Sequence, residues 1–314
     1  MGGAISLCYS FSFPIHLSIK IPFFYSLGHV PRGGYKDPFI GKKARIHGKP
    51  YVFQRRLGSG GFGAVYSARA PDGDRVAIKV IDINGMRGAG ENLVASYLTE
   101  VKNLEQLRQE SRHVVKIYDF DFDSRSGRAY IVMELGGENL AKLIYRLHSA
   151  VVDTRTPGTF IDPIIRKEIW RQMVSIVQTL TTRNIVHMDL KPDNVILFGD
   201  VLKIVDLGIS KKADMLGYGG VGTPLFSAPE VMQDTRGRRR VYGPKADVWS
   251  LGAILYAMTY GQPPRYTTRA SEPPTGQSAS RDRALVNVLR QTLVLDPRTR
   301  ADIETVLRHP YTRH

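Results

Sequence analysis

Cysteine is almost missing from this chain: Cys8 is the only one in 314 residues. That excludes an internal disulfide framework and fits a reducing, intracellular compartment. Long apolar runs are missing too. A membrane span needs about 20 consecutive apolar residues, and the most apolar stretch, residues 4–30, is broken by Pro14, His16, Lys20 and Pro22. No positive charge precedes that stretch, so it also makes a poor secretory signal. Acidic residues are scarce beside basic ones, 29 against 44, for a net charge of +15. Such an excess favours acidic substrates, nucleic acid, chromatin or an anionic membrane face, but a basic surface that binds nothing in particular is as consistent with it. Paired Cys/His ligands and stacking repeats are absent, so no direct nucleic-acid motif supports that partner. What remains is a soluble, globular composition of 42% hydrophobic and 23% charged residues. The length suits one large domain or two coupled lobes.

Residues 1–49 differ from the rest and are expected to form a poorly ordered extension. Met1-Gly2-Gly3-Ala4-Ile5-Ser6 fits the N-myristoylation pattern, with Cys8 as a possible second acylation site. Two acyl chains anchor stably where one does not. A chance match is the competing reading, and membrane contact is expected only if Gly2 and Cys8 are acylated.

From residue 51 the chain reads as a domain. Residues 51–57, 64–68 and 75–82 alternate as strands, with Pro71-Asp72-Gly73-Asp74 as a turn. Residues 91–108 read as a helix, and 113–121 and 128–134 as two more strands. Beyond Gly136-Gly137 the pattern turns mostly helical. Residues 163–183 carry Ile165, Ile169, Met173, Ile176 and Leu180 at helical spacing. A short hairpin is expected over 195–198 and 201–205, and later helices over 247–258 and 283–293. Strands first and helices later predict two lobes with a cleft near 134–137.

Several residues carry chemistry. Gly58-Ser59-Gly60-Gly61-Phe62-Gly63 fits G-x-G-x-x-G, where glycines permit close backbone approach to phosphates. A dinucleotide site would place these glycines between a strand and a helix; here they lie between two strands, as in a hairpin lid. A plain glycine-rich turn is the bland alternative. In Val76-Ala77-Ile78-Lys79-Val80, alternation puts Ala77 and Lys79 on one face of a strand. A small residue beside a lysine suits an adenine ring and its phosphates, although an edge-strand lysine is common. Glu100 sits beside an apolar helical stripe between Tyr97 and Leu104, where an unpaired carboxylate is costly. Lys79 is its expected partner; a glutamate reaching water is the alternative. In His187-Met188-Asp189-Leu190-Lys191-Pro192-Asp193-Asn194, followed by Asp206-Leu207-Gly208, four groups can converge. Asp189 can orient a substrate hydroxyl and accept its proton, and Lys191 can offset charge on a phosphoryl group in transfer. Asn194 and Asp206 can hold Mg²⁺ as hard oxygen ligands.

With these residues in order, the chain resembles the eukaryotic protein kinase family over residues 51–311. Ala228-Pro229-Glu230, Asp247-Val248-Trp249-Ser250 and Arg300 extend the match. The resemblance implies an α+β fold with a β-rich N-lobe (51–134), a hinge (134–137) and a helical C-lobe (138–311). It implies Mg-ATP between the lobes and proteins with Ser/Thr acceptors as substrates. Leu57, the loop 58–63, Val65, Ala77, Lys79, Met133 as gatekeeper, Glu134 and Gly136 in the hinge, and Leu197 as floor are then the ATP contacts. Glu230 and Arg300 look like the ion pair that ties down the activation segment. Within the family, Tyr130–Glu134, Asn184–His187, residues 206–209, 244–252 and 256–261 resemble the monopolar-spindle kinases, as does a basic insert at 236–240. That resemblance implies spindle-checkpoint signalling, kinetochore partners and a nuclear location.

Some positions depart from the family pattern. Met188 stands where an arginine usually receives an activation-segment phosphate, and Leu207 stands for the usual phenylalanine. Residues 263–280 are too short and irregular for the usual substrate-docking helix, and 149–159 read as a loop insertion. Between Asp206 and Glu230, Tyr218 is the only mid-loop hydroxyl, and Thr223 and Ser227 lie near Ala228. A pseudokinase scaffold would lack one of Lys79, Asp189, Asn194 or Asp206; all four are present. Lys191 and Gly222-Thr223 favour serine and threonine over tyrosine acceptors.

Overall fold

A computed structural model describes residues 37–60, 63–83, 90–107, 109, 111–150, 161–212, 216–217, 221–233 and 240–313. Gly2, Cys8, Gly61, Phe62, Tyr218, most of the 149–159 insertion and most of the 236–240 insert lie outside the described residues.

The first part is an antiparallel sheet of β1 (Lys43–Ile46), β2 (Lys49–Gly60), β3 (Gly63–Arg69), β4 (Arg75–Asp82), β5 (Ile117–Asp123) and β6 (Arg128–Glu134). Its order is β1-β2-β3-β4-β6-β5, and helix α1 (Gly90–Leu107) follows β4. The two faces of β4 serve two cores, as strand alternation dictates. Ala77 and Ile81 join the large core with Tyr97, Val101 and Leu104 of α1. Val76, Ile78 and Val80 join a smaller core with Tyr51, Phe53, Tyr66 and Val132. Gly58, Ser59 and Gly60 of β2 pair with Val65, Ala64 and Gly63 of β3, the strand-to-strand context expected of a lid.

The sheet starts earlier than residue 51. β1 draws on the segment expected to be a separate extension, because Ile46 is fully buried in the smaller core. Four residues with two basic side chains are too short a signal to read alone. The turn after β1 is tied to β5: the His47 N–H donates to Asp121 Oδ2 at 2.7 Å, and its Nδ1 lies 2.6 Å from Asp119 Oδ1. The strand expected over 113–121 is β5, shifted towards the C-terminus. The backbone at 113–115 pairs instead with Ile204 of the second part (Ile204 N to His113 O 2.9 Å, Val115 N to Ile204 O 3.0 Å).

The second part is mainly helical. α2 (Leu140–Ala150) and α3 (Pro163–Thr182) lead to β7 (Ile185–Val186), β8 (Val195–Phe198) and β9 (Val201–Ile204). Short pairs join β10 (Lys211–Lys212) to β7 and β11 (Leu216–Gly217) to β12 (Arg240–Val241). α4 (Pro229–Met232), α5 (Lys245–Tyr260), α6 (Arg283–Thr292), α7 (Ile303–Arg308) and α8 (Pro310–Arg313) complete it. α3 starts where Asp162 caps it, accepting from the N–H groups of Ile164 and Ile165, with Pro163 at its first position. Ile169, Met173, Ile176 and Leu180 are buried as their spacing predicts, but Ile165 is 42% exposed. Arg166 is buried there instead, its Nε donating to Tyr311 Oη at 3.2 Å. α5 is buried along its whole length from Ala246 to Tyr260 and packs against α3 and α6. No helix forms between Tyr260 and Arg283, in line with the composition of 263–280. Among the described residues, no helix is long and apolar enough to cross a membrane.

Candidate active site

Residues from four elements meet where the two parts join. Lys79 lies mid-strand in β4, in register with Val65 on one side and Ile131 on the other. Its Nζ donates to Glu100 Oε1 and Oε2 at 2.8 and 2.7 Å and to Asp206 Oδ1 at 3.1 Å. Lys79 and Glu100 are buried, so the pair expected from the helix stripe forms. Burial alone would lower the Lys79 pKa, but the Glu100 and Asp206 carboxylates overcome it and hold the ammonium above its usual value. Burial pushes the Glu100 carboxyl up against the pull of Lys79. At Asp206 burial also opposes the charge, yet Lys79 and the Gly208 N–H win and keep its pKa low. Removing one member of such a buried pair costs about 3–5 kcal/mol, because a charge is left uncompensated.

β7 delivers the loop His187–Asn194. Asp247, in the first turn of α5, accepts from the His187 N–H at 2.7 Å and the Met188 N–H at 3.1 Å. These bonds hold Met188 at φ 69°, a left-handed conformation that a side chain resists. Asp189 follows. Its Oδ1 accepts from Thr223 Oγ1 at 2.6 Å, and its Oδ2 lies 2.9 Å from Lys191 Nζ. Lys191 also donates to Thr223 Oγ1 at 2.7 Å. Thr223 is placed by Gly222, whose φ of 92° and close approach to Met188 O leave no room for a side chain. Asp189 therefore already holds a hydroxyl at hydrogen-bond distance, the task a general base must perform.

The residues expected to hold Mg²⁺ fit that role. Asn194 donates its Nδ2 to Asp189 O at 3.0 Å, leaving Oδ1 as its acceptor end. Asp206 spends Oδ1 on Lys79 and the Gly208 N–H. No cluster of three His, Cys, Asp or Glu occurs among the described residues. A site of one amide and one carboxylate suits Mg²⁺, which completes its shell with phosphate oxygens and water.

Met133 faces Ala77 across the β4–β6 ladder, and both are buried. Leu57, Val65 and Leu197 pack half-buried against the same core. The chain then crosses between the two parts. The Gly137 N–H donates to Leu197 O at 2.8 Å, and the Leu197 N–H to Glu138 O at 3.0 Å. Gly136 lies so near Ile196 and Phe198 that a Cβ would stand 2.5 Å from Ile196 Cγ2. The Glu134 carboxylate is committed to Lys203 Nζ (2.7 and 2.9 Å) and the Lys116 N–H (2.7 Å). Glu230 and Arg300 form the expected pair at 2.8 and 3.0 Å, with Arg300 also donating to Val294 O and Lys245 O and lying over the Trp249 ring. Gly58, Ser59 and Gly60 end β2 and Gly63 opens β3; between them Gly61 and Phe62 lie outside the described residues.

Sequence reasoning passed over the roles of Asp247 and Lys203. A carboxylate in an otherwise apolar helix, 246–258, was the available signal for Asp247. Lys203 gave none, since its partner is 69 residues away.

A family model described as "Protein kinase domain" matches residues 51–312. The chain is 31% identical over 291 residues to zebrafish (Danio rerio) "Dual specificity protein kinase Ttk", covering 87% of this chain and 28% of that protein. It is 29% identical over 295 residues to the Dictyostelium discoideum "Probable serine/threonine-protein kinase mps1", covering 86% and 28%. It is 31% identical over 281 residues to human "Serine/threonine-protein kinase ULK3", covering 83% and 54%. The chain thus spans just over a quarter of the length of the first two relatives. With a family match over residues 51–312 and a fold of an antiparallel sheet followed by a mainly helical part, the chain belongs to the protein kinase family.

Proposed function

We propose that the chain transfers the γ-phosphoryl group of Mg-ATP to serine and threonine hydroxyls of proteins. The observation that carries the reading is a pair of networks, Lys79–Glu100–Asp206 and Asp189–Lys191–Thr223, linked through Asn194, which donates to Asp189 O and accepts from the N–H of Val205 beside Asp206. Leu57, Gly58–Gly63, Val65, Ala77, Met133 and Leu197 enclose the adenine and phosphates in this reading, with the backbone of Glu134 and Gly136 at the ring edge. The Glu134 carboxylate acts elsewhere, bracing the crossing through Lys203. Lys79 positions phosphate oxygens. Asn194 and Asp206 would hold Mg²⁺, which would neutralise charge on the phosphates when bound. Asp189 orients the acceptor hydroxyl and takes its proton as the new O–P bond forms and the bond to ADP breaks. Lys191 offsets the charge on the group in transfer.

Lys191 and Thr223 beside Asp189 favour serine and threonine acceptors. The monopolar-spindle relatives support a finer reading, with spindle-checkpoint signalling, kinetochore substrates and a nuclear location. The test is phosphorylation of a generic protein mixture by purified wild-type, Lys79→Ala, Asp189→Asn and Asp206→Asn proteins, followed by phosphoamino-acid analysis. Each variant should lose phosphoryl transfer almost completely while keeping its fold, and wild type should yield phosphoserine and phosphothreonine far above phosphotyrosine. Near wild-type turnover by Asp189→Asn would overturn the mechanism, and a phosphotyrosine-dominated product would overturn the acceptor class.

A further inference from the structure

A second, uncharged set of contacts joins the two elements that Lys79, Glu100 and Asp206 bridge. Ser96 lies one turn before Glu100 on α1, and its Oγ donates to Gly208 O. Asn103 lies about one turn after Glu100, and its Nδ2 donates to Ser210 Oγ at 2.9 Å. Ser210 Oγ passes the bond on to Leu207 O at 2.6 Å, and the Ser210 N–H donates to the same carbonyl at 3.1 Å. Asn103 and Ser210 are 5% and 2% exposed. Helix positions four before and three after Glu100 share its face. One face of α1 therefore bonds the turn 206–210 directly at two levels, one on either side of Glu100. The approach is close: a Cβ on Gly208 would stand 3.2 Å from Ser96 Oγ and 3.3 Å from Glu100 Oε2.

Glu100 reaches Asp206 only through Lys79. Two carboxylates and one ammonium leave the position of α1 dependent on the long Lys79 side chain, and the carboxylates repel one another. The uncharged bonds add two direct attachment points, one on either side of Glu100. They need no phosphate, and the uncharged Met188 offers none a binding partner.

We propose that Ser96 and Asn103 are positioning residues for the transfer reaction. They clasp α1 to the turn 206–210 and hold Lys79, Glu100 and Asp206 assembled without activation-segment phosphorylation. This rests on the kinase reading of the site. Loss of the clasp lowers the assembled fraction, and apparent nucleotide affinity falls with it. One buried hydrogen bond corresponds to a shift of about fivefold. Ser210→Ala is the harsher change, because it strands the buried Asn103 amide. The double variant Asn103→Ala/Ser210→Ala removes both partners and should be no worse than Ser210→Ala alone.

The test uses phosphatase-treated full-length wild type, Ser96→Ala, Ser96→Thr, Asn103→Ala, Ser210→Ala and the double variant. Hydrogen exchange is measured without nucleotide, and KM for ATP and kcat are measured separately. The expected result is faster exchange, by about fivefold, confined to α1 and residues 207–210. KM for ATP should rise while kcat stays within about twofold, since saturating ligand restores the assembled state, and Ser96→Thr should behave as wild type. Unchanged exchange, exchange raised equally in both parts of the molecule, or local exchange changes with unaltered KM would each overturn the proposal. The exchange arm needs no catalysis. A wild-type protein that neither binds nor turns over ATP would therefore fail the kinase reading while the clasp itself is still measured.

Discussion

Replacing Asp247 by asparagine separates catalysis from nucleotide binding at a residue that touches neither ATP nor substrate. The Asp247 carboxylate is 1% exposed and accepts from two consecutive backbone N–H groups, at 2.7 and 3.1 Å. Hydrogen bonds to a charged group contribute about 1.5–3 kcal/mol each. Asparagine keeps the shape, but its Nδ2 would face one of the two N–H groups. One bond is lost, and a buried donor is left unpaired at a further cost of about 1–3 kcal/mol. Relief from burying a charge offsets part of this, consistent with the upward push of burial on the Asp247 carboxyl. The expected net loss of stability is about 2–4 kcal/mol. The effect on rate follows from Met188. Its φ of 69° is held against a local cost of about 1–2 kcal/mol, and with one anchor gone it relaxes and carries Asp189 with it. A misplacement of about 1 Å can cost on the order of 10²-fold in rate. Asp247→Asn should therefore lower kcat by tens of fold, while KM for ATP, set by residues elsewhere, changes little. Urea unfolding and steady-state kinetics well below the transition would check both. Wild-type kcat in a folded Asp247→Asn protein would refute the reasoning, because the loop would then hold its strained form without the carboxylate.

Two other outcomes are expected. Thr223→Ala removes the 2.6 Å bond to Asp189 and the 2.7 Å bond from Lys191; kcat should fall by about 10- to 100-fold, the equivalent of one charge-assisted hydrogen bond, and Thr223→Ser should retain activity, both measured by steady-state kinetics. His309 has its pKa lowered by burial; its Nε2 pairs with Asn287 Oδ1 at 2.8 Å and its Nδ1 accepts from the Tyr311 N–H at 3.1 Å, so the neutral ring is the bound form. The unfolded chain then takes up a proton at higher pH than the native one, so this contribution to stability is present above the ordinary histidine value of 6.5 and is lost as pH falls below it. The Tm difference between wild type and His309→Gln should shrink between pH 7.5 and 5.5, and a pH-independent difference would contradict the assignment.

Where the sequence was legible, local pattern and tertiary demand agreed. β4 could be read because alternation assigned Ala77 and Lys79 to one face, and the two cores require that assignment. Glu100 could be read because a carboxylate beside Tyr97 and Leu104 needs a cation, and Lys79 supplies it at 2.7 Å. β1 could not be read, because four residues with alternating basic side chains carry too little signal and their burial depends on a sheet built later in the chain. The shift of β5 was illegible for a related reason. The backbone of 113–115 is claimed by Ile204, about 90 residues away, and nothing near His113 announces that. Ile165 completed a helical stripe on paper yet lies at the solvent edge of α3, where the buried Arg166 takes the place beside Tyr311.

The site residues whose roles the sequence did not reveal share one property: each acts on a partner far along the chain. Asp247 holds two backbone N–H groups, Lys203 reaches a carboxylate on the opposite side of the crossing, and Asn103 finds a serine hydroxyl. Asp247 belongs to the Asp247-Val248-Trp249-Ser250 motif, which marks the residue but not its role, and Lys203 and Asn103 carry no motif, because a distant partner can be met by several residue types. Motifs mark groups that must meet a phosphate, a metal ion or a proton in transfer, where only a few side chains have the chemistry. Support of those groups can be met by many residue types. It is therefore set by the packing of α1, the turn 206–210 and α5, and becomes visible only when those elements are in place.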